Sequence, residues 1–216
     1  MADVPELTDL PFAAHLTPAE GGLAASGDYD TVLFERTDFD EPNAGGARFL
    51  ECAFSKVSVT GGKLQRTRLR DVWIRDLRLT GTNVSESEWL DVTVLASSLA
   101  GAQLYGSELR RVVFSGCKLD SVNFRAGRLH DVRFENCVLR DVDFADAELT
   151  GCTFAGSQLA RVDLSRARLE RTDLRGAELG LIIDAQSLRG AIVSTGQLVA
   201  LAPVLAATLG LVVSDD

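Results

Sequence analysis

Few residues in this chain have side chains suited to chemistry: four cysteines (Cys52, Cys117, Cys137, Cys152), two histidines (His15, His130) and many Arg, Asp and Glu. Four thiols could form disulfides, hold a metal or act as nucleophiles. None of them makes a C-x-x-C pair, and the chain has no zinc-ligand spacing, Gly-rich phosphate loop or Walker motif. Instead each cysteine stands two residues before an apolar position of one strict register, a place occupied elsewhere by Val, Ala, Ser or Gly. In that slot a thiol serves as a small buried hydrophobe. His130 follows the apolar Leu129 directly and points to water. The sequence therefore argues against an enzyme, and no metal or cofactor is expected.

The register that places these residues has a period of five. From Phe34 to Leu179 every fifth residue is apolar, thirty slots in a row, and only Ala44 among them is small. Five helical steps would swing such a stripe by roughly 140°, and five strand steps would flip it to the opposite face. Each unit must therefore contain a turn, so that the chain coils about its own buried centre. The slot two residues earlier is nearly always small or β-branched, as at Val72, Val92, Val112, Val132 and Val142. One large and one small inward side chain per unit suits close packing in a narrow tube. Phe114, Phe124, Phe134, Phe144 and Phe154 alternate with Leu119, Leu129, Leu139 and Leu149, so four units per turn would put bulky rings on two opposite walls.

Units such as Ala147-Glu148-Leu149-Thr150-Gly151, Val162-Asp163-Leu164-Ser165-Arg166 and Thr172-Asp173-Leu174-Arg175-Gly176 resemble the A-(D/N)-L-x-x unit of pentapeptide-repeat proteins. The resemblance covers Val32 to Leu181. It implies an all-β solenoid: a right-handed quadrilateral parallel β-helix with four units per coil, here closed by a C-terminal helical cap. Thirty units then make about 7.5 coils and a rod about 35 Å long at roughly 4.8 Å per coil. With one coil every 20 residues, Cys117 and Cys137 would stack, close enough that distance alone leaves a disulfide open. No loop protrudes from the register between Phe49 and Leu179, as in the loopless members of the family.

Three regions follow: residues 1–31, an acidic cap or arm; 32–181, the β-helix; and 182–216, a terminal coil, helix and final strand. The net charge of −9 divides into −6 over residues 1–31 and −2 over residues 182–216, which leaves the rod at −1. The N-terminal segment has Pro5, Pro11 and Pro18 with apolar Leu7, Leu10, Phe12 and Leu16, and reads either as a folded cover or as a mobile acidic arm. Pro42-Asn43-Ala44-Gly45-Gly46 predicts a loose or bulged first coil. After Leu179 the phase slips by one residue, which terminates the rod. Ser194 and Gln197 have capping-box spacing and open a helix that Pro203 should kink or split, and Leu211-Val212-Val213 reads as a last strand.

That helix is apolar almost all round, so one face caps the rod and the other needs a partner. The segment from Leu188 to Val213 resembles the C-terminal module through which gyrase-interacting members of the family dimerise. The resemblance implies a homodimer with Leu198, Leu201, Val204, Leu205, Leu209 and Leu211 at its interface. The most apolar run, Leu198 to Val213, is 16 residues, short of the roughly 20 that cross a bilayer. No secretory signal is read, and a cytoplasmic location is expected.

Two lateral surfaces could meet a macromolecular partner. One is the column Glu51, Asp71, Asp91, Arg111, Asp131, Gly151, Arg171, an acidic ladder broken by Arg111. The other surrounds Trp73, an outward tryptophan with Leu90, Leu95, Thr93 and Val113 nearby, which either forms a binding patch or lies beneath Phe12 and Leu16. The expected function is a non-enzymatic, dimeric interaction rod with an unidentified macromolecular partner. The resemblance implies an alternative: a DNA mimic that binds DNA gyrase and protects it from quinolone-like inhibitors, with no direct nucleic-acid or membrane binding. A rod at −1 is a poor copy of a phosphate track.

Overall fold

The structure, a computed structural model, describes residues 4–184 and 186–212. The chain winds into a parallel β-solenoid of about eight turns with a single helix at its C-terminal end. The coil is 20 residues long, so Phe49 pairs with Leu69, Trp89 with Leu109 and Leu129 with Leu149. The wall of Leu119 and Leu139 is an eight-stranded sheet of its own. The walls of Phe114 and of Leu109 merge into one sheet, because strands Arg68–Arg75 and Glu88–Leu95 run unbroken round a corner. The fourth wall, that of Phe124 and Phe144, is joined by single bridges such as Gln103 to Asn123 and Asn123 to Asp143.

The five-residue unit works because its corner residue adopts a left-handed conformation. Corner φ values are 50° at Glu51, 55° at Asp91, 51° at Arg111 and 54° at Asp131. That region costs an L-residue roughly 1–2 kcal/mol. Each corner amide is tied to the next coil, as Glu51 N–H is to the Arg70 carbonyl at 3.0 Å and Arg111 N–H to the His130 carbonyl at 3.0 Å. One such bond contributes a net ~0.5–1.5 kcal/mol, so it offsets the corner only in part. Burial of each large inward side chain, about 1.5–3 kcal/mol, decides the balance. On the Phe124 wall the residue before the large slot adds a local clasp. Asn123 Oδ1 accepts the Arg125 N–H at 2.9 Å, Asp143 Oδ1 the Ala145 N–H at 2.7 Å and Asp163 Oδ1 the Ser165 N–H at 2.8 Å, which explains Asn or Asp there.

Inside, the rings stack along the axis. Phe114 and Phe134 lie 5.0 Å apart, Phe134 and Phe154 4.9 Å, and Phe124 and Phe144 5.0 Å; the two stacks meet edge to face, as Phe134 and Phe144 do at 6.1 Å. The bulky residues thus occupy opposite walls. All four cysteines are buried and free. Cys137 Sγ accepts the Cys117 N–H at 3.4 Å, so the two do stack. Burial pushes the Cys52 thiol up to about 11 and the Cys152 thiol up to about 12. Its hydrogen bond with Cys117, followed by burial, pushes Cys137 upward as well. These side chains stay protonated at neutral pH and are poor nucleophiles.

Several expectations need correction. The segment from Pro42 to Gly46 is regular: Ala44 N–H reaches the Lys63 carbonyl at 2.8 Å, Gly46 N–H the Gln65 carbonyl at 2.9 Å, and Ala44 is buried. Coiling begins before residue 32, since Asp28–Asp30 pairs with Arg48–Leu50 and Tyr29 stacks on Phe49 at 4.9 Å. The phase slip at the far end is present as a register shift, with Gly180 opposite Ala160 but Leu181 opposite Val162. Pro203 does not split the helix, which runs continuously over Thr195–Thr208. Leu211 and Val212 are not in a strand, and Val213 lies outside the described residues. The interior is not wholly filled, because an apolar cavity of about 60 Å³ lies between Phe49 and Trp89.

Candidate functional site

A filled column offers its surfaces, and three of them carry the residues singled out above. The first is the face of the Phe114 wall around Trp73. Parallel pairing lines Ala53, Trp73, Thr93 and Val113 up in one outward column. Trp73 and Leu95 are nevertheless buried, together with Phe12 and Ala53, and Val4, Leu7, Leu10, Leu16 and Leu33 pack around them. Trp73 Nε1 donates to the Pro5 carbonyl at 3.1 Å, and Arg75 pairs with Glu6. Thr17–Pro18 then extends the sheet beside Val32–Leu33. The N-terminal segment is thus a strap along the side of the rod, and of the two readings of Trp73 and Leu95 it is cover by Phe12 and Leu16 that is found, not an open patch. Leu90 lies on the adjoining wall, half-buried, and is not part of this cluster; Val113 is half-buried at the end of the column.

The second surface is the corner column from Glu51 to Arg171. Glu51 and Asp131 are exposed, and Asp131 sits 3.2 Å from His130 Nε2. Asp71 lies 3.5 Å from the Arg70 side chain. Asp91 accepts two hydrogen bonds from Arg111 of the next coil, each 2.6 Å, and these hold its carboxyl below the usual range. Arg161 binds Asp141 and Arg166 binds Asp146 by the same 20-residue relationship. The ladder is therefore partly neutralised by Arg111, and the columns of Asp141 and Asp146 carry pairs of the same kind. Reading the sequence in columns of 20 would have found all three pairs, since each Asp has its Arg one coil later.

The third surface is the C-terminal end. Ser194 and Gln197 form a reciprocal capping box: Ser194 Oγ accepts the Gln197 N–H at 3.2 Å, and Gln197 Oε1 accepts the Ser194 N–H at 2.9 Å. Gln197 Nε2 then donates to the carbonyls of Leu174 at 2.6 Å and Ala177 at 2.8 Å, satisfying edge groups of the last coil. That double role fixes the helix across the end of the rod and seats Leu201, which is buried. Leu201 thus belongs to the capping face, whereas Leu198, Val204, Leu209 and Leu211 are exposed and Leu205 is half-buried. Val199, at 70% exposure, and Val212, at 93%, extend this apolar face and were absent from the sequence-based set. Their apolar character and i, i+1 adjacency to Leu198 and Leu211 were the available signal.

Among the described residues no group of three or more His, Cys, Asp or Glu side chains is arranged to hold a metal ion. No described helix is long and apolar enough to cross a membrane. A surface groove lies beside the last coils, lined by Arg166, Arg168 and Arg189 together with Glu148, Glu170 and Asp184, charges that balance one another.

No curated protein matches the chain. Among solved structures it is similar to two trypsin-treated forms of QnrB1, a plasmid-mediated fluoroquinolone resistance protein. One is 16% identical, with 91% of this chain and 96% of that chain covered and a TM-score of 0.43. The other is 20% identical, with coverage of 87% and 100% and a TM-score of 0.44. HetL, involved in heterocyst differentiation regulation in the cyanobacterium Nostoc sp. strain PCC 7120, is 18% identical over 79% of this chain and 91% of that chain, with a TM-score of 0.30. Residues 96–164 match the family profile described as pentapeptide repeat region. Over those residues the five-residue register and the 20-residue coil formed from it are those of a pentapeptide repeat region, and the rod continues the same coil on either side.

Proposed function

We propose that the chain is a non-catalytic interaction rod that joins a second copy through its C-terminal face and presents its walls to a macromolecular partner. The observation that carries this reading is the exposed apolar end: Leu198 and Val199 near the start of a helix anchored to the rod by Gln197 and Leu201, and Leu209, Leu211 and Val212 at and beyond its end, all stand in water. Exposed large apolar side chains gathered at one end of the rod suit an interface. Four free thiols suit a reducing compartment, and a cytoplasmic location is part of the proposal. Sedimentation velocity over a concentration series tests it. The wild-type chain should sediment as twice 23.2 kDa and a Leu198→Asp, Leu209→Asp variant as the monomer. A wild-type monomer throughout the series overturns the dimer.

The gyrase-directed alternative is the weaker reading. A phosphate-like track needs spaced, unneutralised negative charge, and Arg111, Arg161 and Arg166 each hold the carboxylate one coil before them. A supercoiling assay with DNA gyrase, with and without a quinolone, discriminates. Absence of any effect at micromolar protein removes this alternative and leaves the interaction rod standing.

A further inference from the structure

The outward positions of the Phe114 wall change character along the rod. In the later coils they are polar, with Arg133, Thr153 and Asp173 in one column and Glu135 beside it. In the early coils the same two columns carry Ala53, Trp73 and Leu95, which form a cluster apart from the core. The N-terminal strap covers them, and its attachment is light. Its backbone bonds are local, as from Asp9 N–H to the Glu6 carbonyl and from His15 N–H to the Phe12 carbonyl. Among the described residues, the stretch from 4 to 16 makes one hydrogen bond with the rod, from Trp73 Nε1 to the Pro5 carbonyl at 3.1 Å. It adds one ion pair, Glu6 with Arg75, whose side chains are both open to solvent. The rest is apolar contact through Val4, Leu7, Leu10, Phe12 and Leu16. The root of the strap is fixed, since Thr17 N–H reaches the Thr31 carbonyl at 3.0 Å and Ala19 N–H the Leu33 carbonyl at 2.9 Å. Residues 4–16 are thus an arm that can leave the wall while the sheet edge at its root stays paired. The face also continues past its cover, because Thr93 and Val113 lie half-buried in the same column outside the strap's cluster.

We propose that this face is a docking site for a short apolar and acidic segment of a partner protein, and that the strap is its built-in competitor. The strap is itself the template for what fits: closely spaced Leu and Phe against Trp73 and Leu95, and a carboxylate for Arg75. Trp73 Nε1–H asks only for a backbone carbonyl, which every peptide brings. A buried tryptophan with a donor at its tip is the kind of side chain on which interfaces concentrate their energy. Tethering gives the strap an effective concentration that is roughly millimolar, so it keeps the aromatic face out of water until a tighter segment arrives. The fixed root favours a partner over exchange of straps between copies, since exchange would also have to break the bonds of Thr17 and Ala19. The proposal rests on the interaction-rod reading and names the place on its walls where the partner docks. The C-terminal dimer lies on a different face and is read separately by sedimentation.

A synthetic peptide of residues 4–16 of this chain is the probe. It contains no tryptophan, so fluorescence reports on Trp73 and Trp89 of the rod alone, and Trp89 belongs to the core. In the full chain, Leu7→Asp with Phe12→Asp should release the strap and shift the emission to the red. The peptide should then reverse that shift along a saturating curve. Wild type should bind the peptide at least about tenfold more weakly, because its own strap competes. Arg75→Glu in the released chain should weaken the peptide several-fold, and a Glu6→Lys peptide should restore it. If the released variant fails to fold, wild type is titrated to several millimolar peptide, and its own strap amides should move to random-coil positions in a nitrogen–proton correlation spectrum as the peptide binds. Absence of a red shift in the folded released variant, absence of saturable binding, equal binding by wild type, or indifference to the charge exchange overturns the proposal. So do strap amides that stay in place throughout the wild-type titration. A dimer that survives Leu198→Asp, Leu209→Asp and is lost with Leu7→Asp, Phe12→Asp also overturns it, by assigning the face to the strap of a second copy.

Discussion

Arg111 grips Asp91 of the preceding coil through two hydrogen bonds, Nε to Oδ1 and Nη2 to Oδ2, each 2.6 Å long. The pair sits on a left-handed corner and repeats in kind at Arg161 with Asp141 and Arg166 with Asp146. Its consequence is electrostatic more than structural, since exposed ion pairs contribute little to folding. Arg111→Gln should leave the urea midpoint within error of wild type. A large drop in that midpoint would show that the corner pairs hold the coil together.

The ring stack is where stability resides. Phe134 touches ring neighbours above, below and across, at 5.0, 4.9 and 6.1 Å. Phe134→Ala should cost about 3–5 kcal/mol in urea unfolding, the usual range for a buried Phe truncated to Ala. A loss below about 1 kcal/mol would mean that the column collapses around the gap and is not rigidly packed.

The N-terminal strap is held by few bonds, of which Trp73 Nε1 to the Pro5 carbonyl is the most buried. Trp73→Phe keeps the ring and removes the donor, a net loss of about 0.5–1.5 kcal/mol. Limited proteolysis followed by mass spectrometry should then show faster cleavage between residues 4 and 16, with the rod left intact. Unchanged cleavage would mean that Phe12 and Leu16 alone seat the strap.

Acid should weaken the fold within a definite window. The hydrogen bond from Arg175 lowers the Asp173 carboxyl, and the backbone N–H of Gln186 does the same for Asp184. A group lowered on folding contributes stability that is complete above its unfolded value, about 3.9 for Asp, and is lost as pH falls through the lower folded value. Thermal melts should therefore show no loss from these groups between about pH 7 and 5 and a progressive loss below about pH 4. A decline centred above pH 5 would implicate other groups.

Much of this fold is legible in the sequence because one interaction, burial of every fifth side chain, repeats without interruption. Phe114 and Phe124 could be assigned to opposite walls from their spacing once the resemblance implied four units per coil, and the Ser194–Gln197 capping box from its residue types. The failures share a cause, which is that they depend on tertiary contacts outside the period. Trp73 is outward by register, yet a segment 68 residues earlier in the chain covers it. Pro203 is tolerated because the helix is held from its other end by Gln197 and Leu201 against the last coil. Leu201 was grouped with the exposed leucines because a helix apolar on every side does not reveal which face docks. The cavity beside Trp89 arises from a change in side-chain volume at positions whose apolar pattern is unbroken.

Small-angle X-ray scattering on the full chain tests the end-joined rod most directly. One rod of about eight turns is roughly 40 Å long. Two joined at their C-terminal faces should give a maximum dimension of about 80 Å or more, falling to about 50 Å in the Leu198→Asp, Leu209→Asp variant. A wild-type particle of about 50 Å, or a dimer unchanged by those two substitutions, would contradict it.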